Sequence, residues 1–406
     1  MTVLKRESEM FSVDKGLKNA AVIGSMSVGT YIINYYLRNL LSVLNPQLLE
    51  TGDYSVDFLA LLSSVYMFFY AAGQLFNGIL GDRVSPKKMI STGTAAAGSA
   101  MCLFPFVKFK ALQVFCFVVL GFALSMLRGP LMKTISENTK PDYARVICVF
   151  FSMAGFLGPL VASIFAMIFA WNWAFVAAGA FAVICAILVY IILSNLEKHG
   201  FVKYSSTKGE GFGAIIGIFK IEKIGFYMIV AALVEICASS ISFWLPTLFT
   251  SELGFGKDFA NMLFSGISVA RALMPFVTLI IFKLIKERDI AMLLVTFGIA
   301  ALCFALMTLA PNRWILIILL VPALMACSCS AALLWSIYIP SLGKTGKVSS
   351  INGVIDCFGY IMASLANMFF ALISGKIGWN GVYLMWAGIA LVGVLSALFV
   401  GNKKAK

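Results

Sequence analysis

Tyr31, Tyr35 and Arg38 stand four and then three residues apart, a spacing that places all three on one face of a helix. Apolar residues run on both sides of them, from Ala20 to Leu44, so the guanidinium lies at the depth of a bilayer. An arginine cannot shed its charge by losing a proton, and at that depth it needs a partner, a water-filled cavity or a substrate. Two phenol hydroxyls and a fixed cation on one face make half of an anion-binding site. The alternative is a structural arginine that snorkels to the interface or pairs with a carboxylate on a neighbouring helix.

Four more charges interrupt apolar stretches: Arg128, beside Gly129 and Pro130, and then Glu235, Arg271 and Asp356 in the second half. Burying any of them alone would cost several kcal/mol, so they must be paired or hydrated. The most economical arrangement sets Arg271 against Glu235 or Asp356 and leaves one carboxylate to bind a proton or a cation. A closed salt-bridge cluster that fixes the second half of the chain is the competing reading.

The elements that carry these residues follow from composition. The 406 residues are 61% hydrophobic and 12% charged, with a mean hydropathy of +0.95. A soluble domain has no use for so much apolar surface, and the pattern is that of a polytopic helical membrane protein. Apolar segments of spanning length fall near 20–46, 56–80, 88–107, 111–137, 144–170 and 173–196, then 224–250, 257–283, 289–310, 313–339, 347–373 and 379–401. The one long polar connection, with Lys198, Lys203, Lys208, Lys220 and Lys223, lies between the sixth and the seventh. The expected organisation is a six-helix bundle over 1–196, a linker over 197–223 and a second six-helix bundle over 224–406. Nothing in the first 19 residues resembles a removable signal peptide.

Of the 31 lysines and arginines, Arg38, Arg128 and Arg271 fall within spans. Lys108, Lys110, Lys257, Arg313 and Lys376 fall on one side. All the others share the side of both termini and the linker, which the positive-inside rule makes cytoplasmic, so the expected location is the cell membrane. The net charge of +13 is thus a topology signal, and nucleic-acid binding has no soluble basic face to rest on. The nine cysteines all lie in apolar segments as small hydrophobes, and the single histidine, His199, lies in a polar stretch. No metal set, cofactor motif or nucleophile–base pair appears, so enzymatic function has no support.

The two halves echo each other. Arg38 precedes Pro46 by eight residues, as Ala238 precedes Pro246; Asp57-Phe58 opens the second helix, as Asp258-Phe259 opens the eighth. The loop after the second helix reads Gly78-Ile-Leu-Gly-Asp-Arg-Val-Ser-Pro-Lys-Lys88 and resembles the loop signature of the major facilitator transporters. Gly78 and Gly81 permit close helix approach, while Asp82, followed by Arg83, can cap a facing helix end and pair with a neighbouring base. This marks a cytoplasmic gate; the corresponding stretch from Lys283 to Asp289 is basic but lacks the glycines. Parallel repeats, twelve spans and this loop together resemble the major facilitator fold, whose substrate site lies at mid-membrane.

Within that superfamily, Tyr35-Tyr36-Leu37-Arg38 with Pro46, Trp244-Leu-Pro-Thr-Leu248, Phe358-Gly-Tyr-Ile-Met-Ala-Ser364 and Gly378-Trp-Asn-Gly381 are similar to the organophosphate:phosphate antiporters. That is the family of glycerol-3-phosphate and hexose-phosphate transporters. The resemblance implies that Arg38 binds the anionic group, with Tyr31, Tyr35 and Tyr360 at family tyrosine positions. It also exposes departures. The family's second phosphate arginine falls on Ala238, its second-helix lysine on Gln74, and its fifth-helix histidine near Ser152 or Met153. A two-arginine clamp for a dianionic phosphate is therefore not reproduced. The related anion:cation symporters also keep the first-helix arginine. The run Gly155-Phe-Leu-Gly-Pro159 resembles an antiporter signature and reads equally well as close packing.

The expectation is a monomeric secondary transporter that moves a small organic anion by alternating access, with a proton or a counter-anion as its coupling partner. Arg38 and Arg128 hold the acidic group, and Tyr31, Tyr35, Trp335 and Tyr360 bond or stack on the remainder. Glu235 or Asp356, with Arg271 in the same charge network, carries the coupling proton. Two other classes stay open: a proton-driven drug efflux pump and a non-transporting hexose-phosphate sensor.

Overall fold

The computed structural model describes residues 2–205 and 217–403, with side chains for all of these except 2–15, 241–244, 246, 257, 367, 371–375 and 401–403. Lys208 and the side chains of Trp244, Pro246 and Lys257 therefore lie outside the described residues. Every long element among the described residues is a helix, as a bilayer demands: with no water to bond, each backbone group must find its partner inside its own segment.

In chain order they are α1 (Thr2–Glu50), α2 (Val56–Gly81), α3 (Pro86–Leu103) and α4 (Lys110–Asn138). Next come α5 (Pro141–Ile168) and α6 (Trp171–Lys198), α7 (Ile224–Thr247), α8 (Lys257–Leu284) and α9 (Asp289–Met307). Last are α10 (Arg313–Thr345), α11 (Val348–Phe370) and α12 (Lys376–Val400), the final two within a helical run that turns at Gly378 (φ 65°, ψ −176°). Only glycine adopts that last conformation without strain. Ten of these helices are long and apolar enough to cross a membrane, and Ile224–Ser240 adds a shorter apolar stretch.

Local chemistry sets the helix starts. Ser55 Oγ accepts from the Phe58 amide at 3.3 Å and caps α2. Asn312 Oδ1 accepts from the amides of Trp314 and Ile315, both at 3.0 Å, and caps α10. Two helices depart from the continuous spans expected of them. The α5 helix breaks at Met153, ahead of Gly155 and Pro159. The α10 helix widens into a π-helical turn over Leu333–Tyr338 just before Pro340. A proline lacks the amide hydrogen and crowds the carbonyl four residues back, so the turn preceding it relaxes. Trp335 sits in that widened turn.

Contacts group the chain into two units, residues 1–218 with 339–354, and residues 219–338 with 355–406. In the first, α2 packs on α4, α3 on α4 and α6, and α1 on α5. In the second, α10 is the central element and packs against α7, α8 and α9. The opening turn of α9 is tied to that of α7 there: Asp289 Oδ2 accepts from Lys223 Nζ at 2.7 Å and from the Tyr227 hydroxyl at 2.9 Å. The Tyr227 ring in turn stacks on Tyr338 of α10 at 3.4 Å.

Candidate functional site

The first cluster is built on α1. Tyr31 stacks on Phe151 of α5 with ring centroids 3.8 Å apart, and it meets the Tyr35 ring edge-on at 5.2 Å. Tyr35 is fixed from the other side by Gly158, where an added Cβ would lie 2.3 Å from Tyr35 Cβ, so only glycine lets α5 come this close. The Gly155–Pro159 run thus serves close packing, and what it packs against is the residue beside the cation.

Arg38 completes the cluster. Its Cζ lies 5.5 Å from the Tyr35 ring and 5.2 Å from the Tyr70 ring of α2, and Nη2 is 3.9 Å from Met67 Sδ. Tyr70 is itself backed by Tyr66 at 5.8 Å. Aromatic faces attract a guanidinium by about 0.5–2 kcal/mol without cancelling its charge. The rings therefore orient the cation and contribute no counter-charge of their own. Tyr66 and Tyr70 were not singled out from the sequence. Their four-residue spacing on one face of α2, with Gln74 a further four along, is the signal that could have found them.

The positions where the resemblance implied other phosphate ligands carry little charge. Ala238 is half-buried. Gln74 is 1% exposed, and its Nε2 has no hydrogen-bond partner among the described residues. Ser152 Oγ donates to the Cys148 carbonyl at 2.9 Å. Arg128, 8% exposed, lies inside the first unit on α4 near Cys148 of α5.

The residues of the loop motif after α2 come together around the start of α11. Asp82 Oδ2 accepts from the Ser350 amide at 2.8 Å and Oδ1 from the Ser349 amide at 3.3 Å. These are free amides of a helix N-terminus, where a carboxylate is favoured by both hydrogen bonding and the helix dipole. The base that pairs with Asp82 is Lys133 of α4, whose Nζ is 3.1 Å from Oδ1. Both side chains are 1% exposed. Sequence reasoning left Lys133 among the ordinary charges on the side of the termini; its position inside an otherwise apolar helix, five residues after Arg128, was the available signal. Glycines make the approach possible. A Cβ at Gly78 would lie 2.8 Å from Gly353 Cα, and one at Gly81 would lie 2.1 Å from Ser349 Oγ. Arg83, next along the motif, is half-buried.

The second unit gathers the carboxylates. A Cβ added to Gly359 of α11 would lie 2.9 Å from Glu235 Cγ, so the stem of Glu235 rests on that glycine. Asp356 and Tyr360 flank Gly359 on the same face of α11, three residues before it and one after. Glu235, Asp356 and Tyr360 thus share one patch of the α7–α11 packing. Arg271 of α8 donates from Nε to Ser328 Oγ of α10 at 3.2 Å and lies near the buried Cys237 and Cys327. Ser328 and these two thiols were not anticipated as its neighbours. Trp335 is half-buried on α10.

A family model described as Major Facilitator Superfamily matches residues 28–366. Among curated proteins, the chain is 23% identical over 397 residues to a phosphoglycerate transporter protein of Salmonella typhimurium, covering 88% of this chain and 84% of that protein. Among solved structures, it resembles the Major Facilitator Superfamily transporter FucP in its outward conformation. The TM-score is 0.73 at 14% identity, over 94% of this chain and 99% of that one. It also resembles the human organic anion transporter MFSD10, with a TM-score of 0.70 at 11% identity, over 93% of this chain and 99% of the other. At these identities the structural likeness speaks for the fold.

Proposed function

Given that the chain belongs to the Major Facilitator Superfamily of membrane transporters, we propose that its cargo is a small organic anion, moved by alternating access and coupled to a proton. The observation that carries this reading is Arg38, a permanent cation inside the membrane-spanning part, oriented by the rings of Tyr35 and Tyr70. Arg38 and Arg128 hold the acidic group, and Tyr31, Tyr35, Trp335 and Tyr360 serve the remainder of the molecule. The name of the Salmonella phosphoglycerate transporter agrees with an anionic cargo. On this reading the protein is a monomer of the cell membrane with both termini in the cytoplasm. A thermal-shift screen of organic acids and sugar phosphates on the purified protein tests the class. Stabilisation by acids and none by lipophilic cations is expected; the reverse result would favour a drug pump, and binding without flux in liposomes would favour a sensor.

The charge inventory narrows the cargo. With Ala238 and Gln74 where the antiporters place cations, a dianionic phosphate lacks its second holding charge, and a monoanion or a zwitterion fits better. Inorganic phosphate is therefore expected to exchange poorly across liposomes loaded with it. Fast phosphate–phosphate exchange would return the protein to the organophosphate antiporter pattern.

Glu235 is the preferred proton carrier, since it rests on α11 beside Tyr360 and can exchange a proton for a hydrogen bond as α7 and α11 move. Glu235→Gln is expected to abolish pH-driven accumulation while leaving substrate exchange intact. If that variant still concentrates substrate and Asp356→Asn does not, Asp356 is the carrier. If neither change alters the pH dependence, both carboxylates are structural and the protein is a uniporter or an exchanger.

A further inference from the structure

An apolar groove of about 470 Å³ runs along the second unit between α8, α9 and α10. Met274, Ile281, Val295, Ile299, Val321 and Met325 are among the side chains that line it. Its one hydroxyl, on Thr296, is already engaged by the Met292 carbonyl at 2.9 Å and by Ser330 Oγ at 2.8 Å, so the slot offers a ligand nothing but apolar contact. Ile281, Val295 and Ile299 are exposed apolar residues within membrane-spanning helices, and the groove therefore opens to lipid rather than to water. From Met274 to Ile285 it follows α8 for about 16 Å at 1.5 Å per residue. That is the depth of one leaflet of a hydrocarbon core of about 30 Å.

One end of the groove, at Ile285 and Ala291, meets the turn between α8 and α9. The turn is tight: Lys286 and Glu287 both adopt φ of 57°, and the Glu287 amide donates to the Phe282 carbonyl at 2.9 Å. The exposed Lys286 and Arg288 stand in this turn between Ile285 and Ala291, at that end of the slot, whereas Lys283, two residues from both Ile281 and Ile285, lies on the opposite face of α8. Of the two acids of this turn, Asp289 is engaged by Lys223 and Tyr227, so Lys286 and Arg288 outnumber the other acid, Glu287. An apolar slot one leaflet deep, with a positive mouth at the interface, matches a lipid tail beneath an anionic headgroup. A protein partner would need a far broader face.

We propose that this groove binds an acyl chain of an anionic phospholipid from the leaflet the α8–α9 turn faces, with the lipid phosphate held by Lys286 and Arg288. Native mass spectrometry of the full-length protein, released from nanodiscs of equimolar phosphatidylglycerol and phosphatidylcholine, tests it. The wild type is expected to retain phosphatidylglycerol in preference by about fivefold or more. The double variant K286Q/R288Q should lose that preference, and Ala291→Phe, which fills the slot near its mouth, should lower retention of phosphatidylglycerol. Equal retention of both lipids by the wild type would mean annular lipid only and would overturn the site. So would an unchanged preference in the double variant or unchanged retention in Ala291→Phe. Hydrogen exchange on the wild type needs no variant: residues 281–299 should gain protection in phosphatidylglycerol nanodiscs relative to phosphatidylcholine, and identical exchange would refute the proposal.

Discussion

Replacing Arg38 by alanine is expected to weaken binding of the transported anion at least tenfold while leaving expression and thermal unfolding close to wild type. A charge-assisted hydrogen bond contributes about 1.5–3 kcal/mol, and at roughly 1.4 kcal/mol per tenfold that sets the scale of the loss. The aromatic faces and the thioether that this guanidinium touches are each worth far less than a buried ion pair, so losing those contacts costs the fold little. Lysine should rescue only in part. Its ammonium can still lie over Tyr35 and Tyr70, but it cannot make the forked contact with a carboxylate or phosphate. Dissociation constants from isothermal titration, set beside initial uptake rates, make the comparison. Wild-type affinity in the alanine variant would show that Arg38 is structural and would remove the main support for an anionic cargo.

The other large effect is expected at Asp82 and Lys133. Both side chains are 1% exposed, so removing one partner strands a buried charge, at a cost of about 3–5 kcal/mol. Lys133→Met and Asp82→Asn should each lower the thermal unfolding midpoint and reduce transport by tenfold or more. Asparagine is the milder change, because its side-chain oxygen can still accept from one of the two amides at the start of α11. The double variant D82N/K133M should be no worse than the worse single variant, since the second change removes the charge that the first left stranded. Additive losses would mean that the two residues act separately and that the ion pair does not hold the gate. The proposed gate role adds a kinetic expectation: the pair must open once per cycle, so weakening it should change the turnover rate more than substrate affinity.

The helical plan was legible in the sequence, and for a direct reason. In a bilayer the backbone of each span satisfies itself, so a run of about 20 apolar residues determines an element almost independently of its surroundings. The starts of α2 and α10 were fixed as locally, by Ser55 and Asn312. So was the face shared by Tyr31, Tyr35 and Arg38, because residue spacing on one helix is a one-dimensional property. The kind of contact Asp82 makes, to a helix end and a base, was legible too, from an acid set among glycines and bases in a loop.

The partners were not legible. Lys133 meets Asp82 from 51 positions away, Tyr70 reaches Arg38 from α2, and Glu235 comes to rest on Gly359 of α11. Hydropathy gives the length of a span but neither its tilt nor its rotation, which neighbouring helices set through small residues at their contacts. The helices themselves, and the charges they bear, were therefore determined by the sequence alone. Which charge faces which ring, amide or thiol was decided only when glycines such as Gly78 and Gly158 let the helices close to backbone contact.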